Sequence, residues 1–82
     1  MNKIKVIIDN WDPIELLSFS PNDEYHSEIF EIEELFRLTK DKYKLAEGIY
    51  NIFIESFGEG VFHKSKTECL NIALLILESD KP

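Results

Sequence analysis

A row of four glutamates on one predicted helix is the feature of this chain most suggestive of chemistry. The row consists of Glu24, Glu28, Glu31 and Glu34. At intervals of four, three and three residues, their side chains would project from one side of a helix. Such carboxylates can hold a divalent cation or exchange protons, but metal sites in helical bundles also use Glu-x-x-His pairs, and only Asp23-x-x-His26 is similar. We therefore expect no metal site. Such a row of charges usually lies on the solvent-exposed face of a helix.

The one cysteine and two histidines form no recognisable catalytic motif. Cys69 falls in the first turn of a predicted helix, where the helix dipole favours a thiolate, but it also belongs to an apolar stripe. We expect it to be a buried, inert residue. His26 and His63 have no Ser, Cys or Asp at triad spacing, and Gly58-Glu59-Gly60 lacks the Lys-Ser/Thr of a phosphate loop. We expect no enzymatic activity, no catalytic residue and no cofactor.

Charge is the strongest compositional signal. Nine Lys and Arg residues stand against sixteen Asp and Glu residues, which gives a formal net charge of -7. No Lys or Arg occurs between Val6 and Phe36, so the N-terminal half is strongly negative. Direct nucleic-acid binding is therefore not expected, because it requires Lys and Arg along the contact. Either basic residues elsewhere in the fold, such as Lys42, Lys44 or Lys64, lean over the glutamate row, or a cationic partner does.

Two aromatic residues invite a functional interpretation. At about 100° per residue, Phe30 lies away from the predicted core stripe of its helix. It is either an exposed anchor for a partner or a second core contact. Trp11 precedes Asp12 and Pro13, and we interpret this tripeptide as structural, with Asp12 as a helix N-cap, Pro13 at the first helical position and Trp11 as an apolar staple.

Size and cysteine usage limit the class of protein. A chain of 82 residues supports one hydrophobic core, and we expect a single helical domain over residues 1–82. One cysteine makes no internal disulfide, the N-terminal segment has no secretory apolar run, and no stretch approaches the roughly 20 apolar residues of a membrane span. The expected location is the cytoplasm, without membrane attachment.

The hydrophobic pattern predicts an all-α protein, a compact bundle of about four helices plus a short helical turn. Residues 4–11 fit helical spacing, although Ile4, Val6 and Ile8 also alternate as a strand would. A short turn follows Pro13 and runs through Leu17. The next helix is predicted to open at Ser20-Pro21 or Asn22 and to run to Leu38.

Two further helices complete the predicted bundle. One runs from an N-cap at Asp41 to Phe57 and stops at Gly58, and Gly48 inside it marks a close approach of a neighbouring helix. The last starts at the capping box formed by Ser65 and Glu68. Residues 69–77 are apolar on nearly every face, which predicts either a central core helix or a seam between subunits.

The order and spacing of several short motifs resemble the YugE-like family of small bacterial proteins. The matching motifs are Trp11-Asp12-Pro13, Asp23-Glu24-Tyr25, Glu28-Ile29, Leu45-Ala46, Ile49, Ile52-Phe53, Ser56-Phe57-Gly58, Glu68-Cys69 and Ile72-Ala73. They cover nearly the whole chain. The resemblance implies an all-helical fold and brings no activity, cofactor or partner.

The sequence does not identify a specific function. Our first hypothesis is a non-enzymatic module that binds a basic partner protein, as an inhibitor or immunity-type protein would, through Glu24, Glu28, Glu31, Glu34 and Phe30. The alternative is a structural or regulatory homodimer that associates through residues 69–77. A small hydrolase or metal protein ranks below both.

Overall fold

The computed structural model describes residues 3–14 and 25–79, which form four α-helices. The helices are α1 (Lys3–Trp11), α2 (His26–Leu38), α3 (Lys42–Phe57) and α4 (Lys66–Ser79). Across these residues there is no β-strand, so the predicted all-α bundle is confirmed and the strand alternative for residues 4–8 is wrong. α3 packs against both α2 and α4, and α1 packs against the same two helices.

Three of the predicted helix boundaries are confirmed by their hydrogen bonds or backbone angles. The Asp41 carboxylate accepts hydrogen bonds from the backbone N–H groups of Tyr43 and Lys44 at 2.8 and 3.1 Å, as an N-cap does. Gly58 ends α3 with φ of 82°, in the left-handed region that glycine adopts without strain. At the start of α4, the Ser65 hydroxyl accepts from the Glu68 N–H at 3.1 Å.

The segment between α1 and α2 departs from the prediction. α2 begins at His26, later than predicted, and the predicted start at Ser20-Pro21 or Asn22 lies outside the described residues. Asp12 follows α1 with φ of 44°, and its N–H donates to the Ile8 carbonyl at 2.9 Å, so it ends that helix. The short turn predicted after Pro13 also extends beyond the described residues.

The core is built from one apolar stripe of each helix, centred on Phe53. The Phe53 ring stacks on Phe62 with ring centroids 5.3 Å apart and meets the edge of Trp11 at 5.6 Å. Tyr25, the first residue of the predicted α2 stripe, packs edge-on against the same ring at 5.9 Å. Each fully buried side chain of this size contributes about 1.5–3 kcal/mol relative to exposure, so this cluster makes a substantial contribution to stability.

Trp11 makes long-range contacts with the core, which differ from those of the predicted staple. Its indole Nε1–H donates a hydrogen bond to the Glu68 carboxylate at 2.9 Å, which ties the end of α1 to the start of α4. The predicted capping box is therefore only half formed, because the Glu68 carboxylate reaches across to Trp11 while its backbone N–H bonds Ser65.

Candidate partner-binding groove

The structure separates the predicted glutamate row. Glu24 lies outside the described residues, Glu31 and Glu34 are exposed, and Glu28 is buried with 7% of its surface accessible. The expectation that Glu28 belongs to an open acidic face is wrong. It is seven residues before Leu35, hence on the same side of α2, and that side packs against α3 at Gly48.

Glu31, Glu34 and Phe30 do come together, at the edge of a groove between α2 and α3. The groove has a volume of about 410 Å³. Its α2 wall carries these three residues and Leu38, and its α3 wall carries Ile52 and Glu55. Leu35 and Gly48 form the floor, where the two helices approach most closely.

The groove combines apolar side chains with an excess of negative charge. Phe30 and Leu38 are 57% and 84% exposed, which settles the two alternatives for Phe30 in favour of an exposed residue. No Lys or Arg lines the groove, and Glu34 forms a loose ion pair of 3.7 Å with Arg37, both being exposed. Such exposed pairs contribute little, typically below about 1 kcal/mol.

Of the two alternatives for the glutamate row, compensation by Lys42, Lys44 or Lys64 finds no support in their contacts. Lys64 pairs with Glu68 at 3.8 Å, and the Lys42 ammonium lies 5.2 Å from the centre of the Tyr43 ring. Across the described part of the chain, Lys42, Lys44 and Lys64 form no ion pair with Glu31 or Glu34. Internal pairing therefore does not account for the charge of the groove.

Sequence reasoning missed the α3 wall. The amphipathic pattern of α3 predicts a core position for Ile52 and gives no signal for Glu55. Both face α2 because Gly48 allows close packing, and Ile52 and Glu55 lie four and seven residues beyond it on the same side of α3. The signal that would have found them is the position of the glycine relative to these residues.

The remaining candidates for chemistry have other surroundings. Cys69 is fully buried, as expected, and burial, helped by the nearby Glu68 charge, raises the pKa of its thiol to about 12. His26 and His63 are exposed. Nowhere in residues 3–14 and 25–79 do three His, Cys, Asp or Glu side chains converge in a way that could hold a metal ion. No helix in these ranges is long and apolar enough to cross a bilayer.

The protein is a small helical bundle with an acidic groove between α2 and α3. A family model described as a domain of unknown function, DUF1871, matches residues 3–81, and the chain belongs to this family. No curated protein and no solved structure matches this chain.

Proposed function

We propose that this protein is a non-enzymatic binding module whose α2–α3 groove receives a basic, amphipathic segment of a partner protein. The observation that carries the proposal is an apolar groove rimmed by Glu31, Glu34 and Glu55 and lined by no Lys or Arg. Exposed apolar side chains next to carboxylates match a segment that alternates apolar anchors with Lys or Arg.

Two physical effects favour such a partner. Phe30 and Leu38 offer apolar area that a partner helix would remove from water, and helices commonly bind grooves through anchors at i, i+3 and i+4. The net charge of -7 would speed the encounter with a basic protein by long-range attraction. We further propose that the protein acts in the cytoplasm as an inhibitor or immunity-type protein. We also propose that it belongs to the YugE-like family.

Site-specific photocrosslinking tests where the partner binds. A benzophenone side chain at Leu38, on the rim of the groove, should crosslink a segment rich in Lys or Arg with apolar residues at helical spacing. The same group at Leu75, on α4, is the matched control and should not capture that segment. Equal capture from both positions, or capture of acidic segments only, would contradict the proposal.

Charge-neutral variants then test the acidic rim with the captured segment as a synthetic peptide. Replacing Glu31 and Glu55 by Gln should lower the association rate constant about tenfold at low salt and weaken its salt dependence. Glu59→Gln together with Glu78→Gln removes the same charge away from the groove and serves as the control. Thermal melting should show both variants folded. Equal association rate constants for the two variants would show that the rim glutamates have no specific role in binding.

A homodimer is the second candidate function, favoured by the outer face of α4. Within residues 69–77 the subunit itself buries Cys69, Ile72, Ala73 and Ile76, but Leu74 and Leu75 remain 40% and 51% exposed. Leu74 lies one helical turn beyond Leu70, which borders a shallow depression next to the exposed Tyr43. A second copy covering this surface would remove these side chains from water.

A further inference from the structure

A second cleft, between α1 and α2, shares Phe30 with the acidic groove. Its volume is about 280 Å³, and its lining includes Lys5, Asp9 and Glu33. Phe30 thus forms part of both sites, so a segment lying in the groove would have this cleft within reach of a long side chain. The cleft differs from the groove in already containing a cation, the Lys5 ammonium.

Asp9 is only half satisfied in this cleft. Its Oδ2 atom pairs with the Lys5 ammonium one turn earlier in α1. Its Oδ1 atom is buried and accepts no hydrogen bond from any residue that the structure describes. A buried acceptor without a donor is unfavourable, so in native proteins such an atom is normally paired with a protein group, a water molecule or a ligand.

An arginine side chain would satisfy both carboxylate oxygens. Lysine acts as a point charge, whereas a guanidinium presents two parallel N–H groups that match a carboxylate in bidentate fashion. An aromatic face also attracts a guanidinium, and Phe30 borders the cleft. The Lys5 side chain is 43% exposed, so its ammonium has a path to water when an arginine takes its place at Asp9.

We propose that the cleft is an arginine-binding site, in which the guanidinium of a partner's arginine displaces Lys5 from Asp9 and lies beside Phe30. Lys5 is the internal stand-in that occupies the site in the free protein. The inference rests on the proposed function, because the arginine belongs to the segment that lies in the adjoining groove. It adds a specific requirement, since one position of that segment must be Arg rather than Lys.

Nuclear magnetic resonance titration of the full chain tests the site without the partner. N-acetylarginine amide should give saturable shifts of the Asp9 and Phe30 amide signals, and N-acetyllysine amide should bind at least about fivefold more weakly. Asp9→Asn should abolish the saturable shifts, whereas Glu78→Gln, remote on α4, should keep them. Lys5→Met should strengthen arginine binding, because the Lys5 ammonium no longer competes for the Asp9 carboxylate. Equal binding of the two amides, or unchanged binding by folded Asp9→Asn, would overturn the site.

A pair of peptides separates this inference from the proposed function. Both are amphipathic helices of Leu and Lys, and they differ only in one central Arg or Lys. Tighter binding of the Arg peptide, lost in Asp9→Asn, supports both ideas. If the two peptides bind with equal affinity, and the Glu31→Gln, Glu55→Gln double variant weakens both equally, the arginine site is contradicted and the groove is supported. Binding of the arginine amide without binding of either peptide would overturn the groove alone.

Discussion

Cys69 shows how burial decides the chemistry of a single residue. It lies in the first turn of α4, where a thiolate would gain from the helix dipole, yet its side chain is fully buried. Burial, and then the nearby Glu68 charge, raise the pKa of the thiol to about 12. A neutral thiol is a poor nucleophile, so at neutral pH this cysteine serves packing.

The raised pKa of Cys69 predicts a loss of stability at alkaline pH. The unfolded chain releases this proton near the ordinary value of 9.0, whereas the folded protein holds it up to about 12. The stabilisation is therefore complete below pH 9.0 and declines as the pH rises toward 12. Urea unfolding at a series of pH values should show a steeper alkaline decline for wild type than for Cys69→Ala.

The difference between the two proteins is the informative quantity, because it removes every contribution that they share. The variant should be the less stable at neutral pH, because the core loses the sulfur atom. Its disadvantage should shrink as the pH rises. Parallel pH curves, or fast reaction of folded wild type with a thiol reagent at neutral pH, would contradict the assigned burial.

Residue roles were predictable from the sequence where they depend on neighbours in the chain. The Asp41 cap and the Ser65 cap depend on residues two or three positions away, and both patterns predicted the observed bonds. The burial of Glu28 was not predictable from the sequence, because it depends on where α3 packs. The Trp11 to Glu68 bond joins residues 57 positions apart, which no local pattern encodes.

At the scale of elements, the contact between α2 and α3 depends on one glycine. A Cβ placed at Gly48 would overlap Leu35 Cδ2 and lie 3.3 Å from Leu35 Cγ. Gly48 therefore sets the distance between the helices that form the groove. The sequence predicted a close approach at this position, and the structure confirms it and identifies α2 as the neighbour.

Gly48→Ala should destabilise the protein although alanine is the better helix former. The intrinsic gain is at most about 1 kcal/mol, and we expect overpacking against Leu35 to exceed it, for a net loss of about 1–2 kcal/mol in urea unfolding. Gly60→Ala is the matched control, since no atom lies within 4 Å of a Cβ there. The control should change stability by less than about 0.5 kcal/mol.

A second substitution identifies the cause of the expected loss. Leu35→Ala removes the side chain that an alanine at position 48 would meet. In a double-mutant cycle, Gly48→Ala should then cost less, or even stabilise, with a coupling energy of about 1 kcal/mol. Additive effects of the two substitutions would show that the close approach does not constrain the helix pair.

At the scale of the whole molecule, the self-association candidate depends on the exposed leucines of α4. Leu74→Glu places a charge on a side chain that is 40% exposed, so the variant should stay folded, within about 1 kcal/mol of wild type. If a homodimer forms through this face, sedimentation should show a dimer for wild type and a monomer for the variant. A wild-type protein that stays monomeric at high concentration would contradict the homodimer hypothesis.

The architecture as a whole was more predictable than the site within it. Helical periodicity and capping residues indicated four helices, because each helix is determined largely by residues that are close together in the chain. The groove is made by side chains from two helices whose relative rotation is fixed by packing. Phe30, Glu31 and Glu34 were therefore predictable as candidates, while their α3 partners Ile52 and Glu55 were not.

The position of Trp11 gives the molecule a built-in optical probe. It is the one tryptophan of the chain, with its ring against Phe53 and Phe62 and its N–H bonded across to α4. Its fluorescence emission therefore depends on α1 remaining docked. The acidic groove is formed by α2 and α3 and does not include this residue. Emission that stays constant while a peptide binds would thus separate occupation of the groove from opening of the bundle, in one unlabelled sample.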